Sequence, residues 1–139
     1  MKVLFDTNVI LDLLLAREPF ANAATQLVAK VEQADIEGRL CATTVTTIHY
    51  IVTKKLGAKQ AALAIDRLLH LFDIAIVSRS VLLNATTLPF RDYEDAVLHE
   101  AARVTGADAI VSRNLADFPQ AQLPVYDPPT LLALLQGEL

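Results

Sequence analysis

The chain is short of the residues that would announce several common chemistries. It has a single cysteine, Cys41, among 139 residues, so no intrachain disulfide can form, and a reducing, cytoplasmic setting is expected. Four glycines and six prolines are too few for a disordered or low-complexity segment. Positive charge is in deficit, with a formal net charge of −4. That argues against a broad basic face for nucleic acid, although a cation held in an acidic site can supply the charge a phosphodiester needs. No uncharged run is long enough to cross a bilayer, so no membrane role is expected. Lys2 ahead of an apolar stretch superficially mimics a secretory leader, but Asp6 and Asp12 interrupt it and Arg17-Glu18-Pro19 follow. A glycine-rich phosphate loop and a Ser/His/Asp or Cys/His triad are also missing.

What is present is apolar. Hydrophobic residues make up 53% of the chain, enough for a full core, and the length corresponds to one domain spanning residues 1–139. Lys2 to Phe5 reads as a strand, followed by a helix from about Asn8 to Ala16. Pro19 opens a second helix, predicted to run to about Glu37 and to be stopped by Gly38. Leu40 to Ala42 reads as strand 2. A helix capped by Thr43 or Thr44 extends to Leu56-Gly57, and another covers Ala58 to Leu71. Ile74 to Val77 is strand 3, followed by a short helix from Arg79 to Thr87 and a loop over Leu88-Pro89-Phe90-Arg91. Asp92 opens a helix to about Thr105. Ala109 to Ser112 is strand 4, Gln122 to Tyr126 holds a short strand 5, and Pro129 starts a last helix through Leu135. Strands alternating with helices predict an α/β fold whose parallel sheet is covered on both faces.

Against that framework the placement of acids is the main signal. Asp6 falls where strand 1 ends and a helix begins, the edge at which open α/β sheets collect their chemistry. Asp could serve there only as a helix cap, but Thr7 or Asn8 would cap equally well. Asp12, a turn further on, reads as a solvated charge. Asp92, Glu94 and Asp95 open a helix, where acids complement the dipole; three in four positions exceed that purpose. Asp95 precedes Ala96-Val97-Leu98, which enters the core, so it is held near the sheet edge and is the favoured metal ligand, with Asp92 on the same face as a further candidate. Glu94 is expected to point elsewhere into solvent. His99, a turn beyond Asp95, has ligand spacing but reads as structural. Ser112, Asn114 and Asp117 are the polar residues after strand 4, whose carboxyl end should adjoin that of strand 1. Arg113 is a candidate contact for a phosphate, and Asp108, before strand 4, belongs to the opposite edge. Carboxylates gathered at one edge can hold a hard divalent cation.

Three stretches together resemble the PIN domain family: Val3-Leu4-Phe5-Asp6-Thr7-Asn8-Val9-Ile10-Leu11-Asp12, then Asp92-Tyr93-Glu94-Asp95-Ala96, then Ala107-Asp108-Ala109-Ile110-Val111-Ser112-Arg113-Asn114-Leu115-Ala116-Asp117-Phe118. The resemblance covers nearly the whole chain in the expected order. It implies a three-layer α/β/α fold with a central parallel sheet and Mg²⁺- or Mn²⁺-dependent cleavage of RNA to 3′-hydroxyl and 5′-phosphate ends. It also implies similarity to toxins of the virulence-associated protein C group, which act with an antitoxin partner. Asp6 and Asp95 carry over as metal ligands, and Asn114 and Asp117 as the last part of the acidic pocket. Asp6, Asp95, Asp117 and Asn114 are thus the candidate catalytic set, with the three aspartates as metal ligands. Asn8, Thr47, Ser112 and Arg113 are candidates for positioning water or substrate.

One departure is visible. Such proteins usually carry an acid in the helix after strand 2, and it aligns here with Thr47; no acid occurs from Leu40 to Ile65. A catalytically weak module that binds RNA or protein is therefore the alternative to a ribonuclease. A metal-dependent phosphatase using Asp6 ranks third, because the acid it would want at position 8 is Asn8. A purely structural subunit has only the apolar content behind it. That apolar content, and the apolar positions of Ala58 to Leu71 beyond one buried stripe, predict a two-fold homodimer.

Overall fold

The computed structural model describes residues 1–137. Five parallel strands form one sheet in the order β3-β2-β1-β4-β5. They are β1 (Lys2–Phe5), β2 (Glu37–Cys41), β3 (Asp73–Ala75), β4 (Ala109–Val111) and β5 (Val125–Tyr126). The helices are α1 (Thr7–Leu14), α2 (Ala21–Glu32), α3 (Ala42–Leu56), α4 (Ala58–Leu71), α5 (Arg79–Ala85), α6 (Tyr93–Val104) and α7 (Pro128–Leu135), with a 3₁₀ turn at Leu115–Asp117. The chain winds from β1 outward to β3 and then crosses back to β4 on the other side of β1. That reversal makes the carboxyl ends of β1 and β4 the switch point at which a parallel sheet opens a crevice.

Strand alternation splits the core into two layers. Val3 and Phe5 of β1 face a cluster built from α1, α2, α3, α4 and α7, including Ile10, Leu27, Ile48 and Leu131. Leu4 faces the opposite cluster with Val81 of α5 and Val97, Leu98 and Ala101 of α6. The result is the expected three-layer α/β/α arrangement. Among the described residues no helix is long and apolar enough to cross a membrane.

The largest local departure lies between α2 and β2. The helix expected to reach Glu37 ends at Glu32, and Ala34 takes a positive φ of 61°. Glu37 instead starts β2, its N–H donating to the carbonyl of Met1 at 2.9 Å. Gly38 is therefore not a helix stop. It sits inside the strand, and a Cβ there would lie 2.6 Å from the Phe72 ring, which packs edge-on against Phe5. The next helix starts at Ala42 with no side-chain cap, in place of the expected Thr43 or Thr44 cap. Buried Thr44 instead shares a 2.9 Å hydrogen bond with the Thr7 hydroxyl, joining the starts of α1 and α3.

Candidate metal and nucleic-acid site

The site is assembled at the carboxyl edge of β1 and β4. Asp6 follows β1 and caps α1, one carboxylate oxygen accepting the Thr7 N–H at 2.7 Å. The cap reading is thus real but uses one oxygen only. The other accepts from the Ser112 hydroxyl at 2.7 Å and from Asn8 Nδ2 at 3.4 Å. The Ser112 oxygen in turn accepts the Asn114 N–H at 3.1 Å. Backbone pairing fixes the whole set, because the Asp6 N–H donates to the Val111 carbonyl at 2.9 Å. Burial pushes the Asp6 carboxyl up from its ordinary range, against the pull of Ser112 and Thr7.

Asp95, half-buried in the first turn of α6, faces the same cleft. Burial first, and then the charges of Asp6, Asp92, Asp117 and Glu94, push its pKa up to about 7. Asp117 ends the 3₁₀ turn and is exposed. It lines a cleft of about 340 Å³ together with Asp6, Asn8, Asp95, Arg113 and Asn114. The structure thus brings Asp6, Asp95, Asp117, Asn114, Asn8 and Arg113 together, with Ser112 buried just behind. Among the described residues no three acid, imidazole or thiol side chains are already clustered as a metal-ready set. The donors themselves are hard carboxylate and amide oxygens, which suit Mg²⁺ or Mn²⁺, and the charge they gather is not matched by the cations in the cleft.

Asp92 also lines the cleft, but one of its oxygens caps α6, accepting the N–H groups of Glu94 at 2.7 Å and Asp95 at 3.2 Å. Glu94 corrects the sequence reading. It does not point away; it lines the cleft and accepts a hydrogen bond from the Thr47 hydroxyl at 3.4 Å. A carboxylate therefore stands beside the position where the usual acid is missing. Periodicity does not find it, since residues 94 and 95 lie about 100° apart around a helix, yet both line one cleft.

Asp12 is corrected as well. It is not solvated but 1% exposed, paired with Arg17 at 2.9 Å and Arg113 at 2.8 Å. Arg113 is accordingly held from within. Arg17, which lines the cleft, carried no signal in the sequence beyond its charge. His99 is fully buried outside the cleft. Its Nε2 accepts the Gln122 N–H at 3.0 Å, tying α6 to the segment before β5, and burial lowers its pKa. Asp108 sits at the opposite edge of the sheet, accepting the Lys2 N–H at 2.8 Å.

Several solved structures share this fold. A chain of a toxin–antitoxin complex from Klebsiella pneumoniae superposes with a TM-score of 0.69 at 21% identity, covering 91% of this chain and 97% of that one. FitAcB from Neisseria gonorrhoeae gives 0.67 at 21% identity, with 91% and 97% covered. VapC20 of Mycobacterium tuberculosis, a toxin that cleaves the sarcin–ricin loop, gives 0.63 at 15% identity, with 78% and 86% covered. No curated protein sequence matches the chain. At these identities the likeness speaks for the fold. The sequence itself goes further, since a family model described as PIN domain matches residues 2–116, from the first residue of β1 into the 3₁₀ turn before Asp117. The chain belongs to the PIN domain family.

Proposed function

We propose that the protein is a Mg²⁺- or Mn²⁺-dependent ribonuclease and the toxin of a toxin–antitoxin pair. The observation that carries this reading is the convergence of Asp6, Asp95 and Asp117 on one cleft at the switch point, with Asp95 raised to about 7 by burial and then by the carboxylates around it. A divalent ion bound there supplies charge neutralisation for the phosphodiester and acidifies the attacking water. The chain's own groups do the rest. Ser112 and Asn8 fix the Asp6 carboxylate, and the two ends of the Ser112–Asn114 link hold the loop after β4 against it. An acidic cleft of this size suits a splayed, single-stranded or looped RNA better than a regular duplex.

Thr47 favours the second reading, a PIN domain that binds without cutting. Glu94 answers it in part, since its carboxylate is hydrogen-bonded to Thr47 and contributes charge to both Asp6 and Asp95. Glu94→Gln is therefore expected to weaken Mn²⁺ binding about tenfold. Adding Thr47→Glu to that variant is expected to restore it, as measured by isothermal titration calorimetry. Wild-type affinity in the Glu94→Gln protein would remove Glu94 from the site.

The partner reading has its own support. The Klebsiella pneumoniae structure is of a toxin–antitoxin complex. An open apolar groove of about 600 Å³ runs among α1, α2, α3 and α4, lined by Leu13, Val28, Val52, Leu56, Leu63 and Leu68, and an antitoxin helix is its proposed occupant. We propose a homodimer as well, on α4, whose exposed Leu69 lies outside that groove. Expression of the chain alone is expected to arrest growth, with rescue by the product of a neighbouring gene. Harmless expression together with no metal-dependent RNA cleavage would favour the binding module.

A further inference from the structure

We propose that Arg17 and Arg113 form a seat for a phosphate of the RNA strand next to the one being cut, an assignment that rests on the ribonuclease reading above. Both arginines are anchored on the buried Asp12. Arg113 binds it bidentately, Nε at 2.8 Å from Oδ2 and Nη2 at 3.2 Å from Oδ1, and Arg17 Nε lies 2.9 Å from Oδ1. One carboxylate against two guanidinium groups leaves one positive charge in a cleft whose other charged groups are all acids. Bidentate Arg113 alone satisfies the charge of Asp12, so the second cation exceeds what the fold requires there.

The pair is aimed and indexed. The side chains of Arg17 and Arg113 remain 38% and 26% exposed. Guanidinium carries five N–H donors, and among the described residues Nη1 of each arginine has no protein acceptor. Arg113 lies over the Phe20 ring, 4.1 Å from its centroid, which fixes the plane of its fork. Asn8 connects the pair to the acidic half of the cleft. Its carbonyl accepts from Arg17 Nη2 at 3.4 Å, its Oδ1 accepts the Arg113 N–H at 3.3 Å, and its Nδ2 donates to Asp6. A phosphate held by the Nη1 groups of the two arginines is thereby set in register with Asp6.

The test is fluorescence anisotropy of a labelled single-stranded RNA with Ca²⁺ across a salt series. Arg17→Gln leaves Asp12 paired with Arg113 and is expected to fold. Its RNA affinity is expected to fall about tenfold, and the slope of log K against log salt to shrink by about one. Its Mn²⁺ affinity is expected to match wild type, and Arg17→Lys should keep the slope because it keeps the charge. A folded Arg17→Gln protein with wild-type affinity and slope overturns the seat and leaves the ribonuclease reading standing. Salt-independent or absent RNA binding by the wild type overturns both.

Discussion

Asp95→Asn is expected to abolish Mn²⁺ binding and RNA cleavage while leaving the metal-free protein at least as stable as wild type near neutral pH. The carboxyl is half-buried and surrounded by Asp6, Asp92, Asp117 and Glu94, which is why its pKa stands at about 7. Below pH 3.8, its ordinary value, Asp95 is protonated in both the folded and unfolded chains and adds nothing to the difference between them. As pH rises from there through about 7, the unfolded chain releases its proton first, so the folded state holds more protons and the metal-free protein loses stability. A neutral amide at position 95 removes that loss. Urea titrations between pH 4 and 8 without metal should show stability falling more steeply in wild type than in Asp95→Asn, and added Mn²⁺ should restore the wild type only. Equal pH dependence in the two proteins would mean that Asp95 does not carry the strain.

The second large effect is on the fold. Asp12→Ala is expected to destabilise the protein by about 3 kcal/mol, because it strips a buried carboxylate from between two arginines and leaves both cations facing each other. Asp12→Ala with Arg17→Gln should recover part of the loss by relieving that repulsion. Thermal or urea unfolding measures it, and a loss below about 0.5 kcal/mol, the scale of an exposed surface substitution, would contradict the pairing.

Both effects show where the sequence was readable and where it was not. The apolar run of β1 followed at once by a helix is a local pattern, and so are the acids that open α1 and α6; with strands alternating with helices along the chain, these made the parallel sheet and its acidic edge legible. The end of α2 was not. Gly38 looks like a helix terminator in sequence, yet its role is set by the ring of Phe72, thirty-four positions away, which leaves no room for a Cβ. Asp12 failed for the same reason, since one of its partners, Arg113, is 101 residues distant. Glu94 was misread because helical periodicity measures angle around one axis and is blind to a partner on another helix, here the Thr47 hydroxyl of α3. What local spacing determines was visible, and what crossing elements determine was not.

In the proposed function the cleft at the ends of β1 and β4 hydrolyses RNA with a divalent ion held by Asp6 and Asp95. The most direct test is gel analysis of a single-stranded RNA incubated with wild-type and Asp6→Asn protein, in Mn²⁺ and in EDTA. Fragments with 5′-phosphate ends are expected only from wild type with Mn²⁺. Cleavage in EDTA, or equal cleavage by Asp6→Asn, would contradict that function.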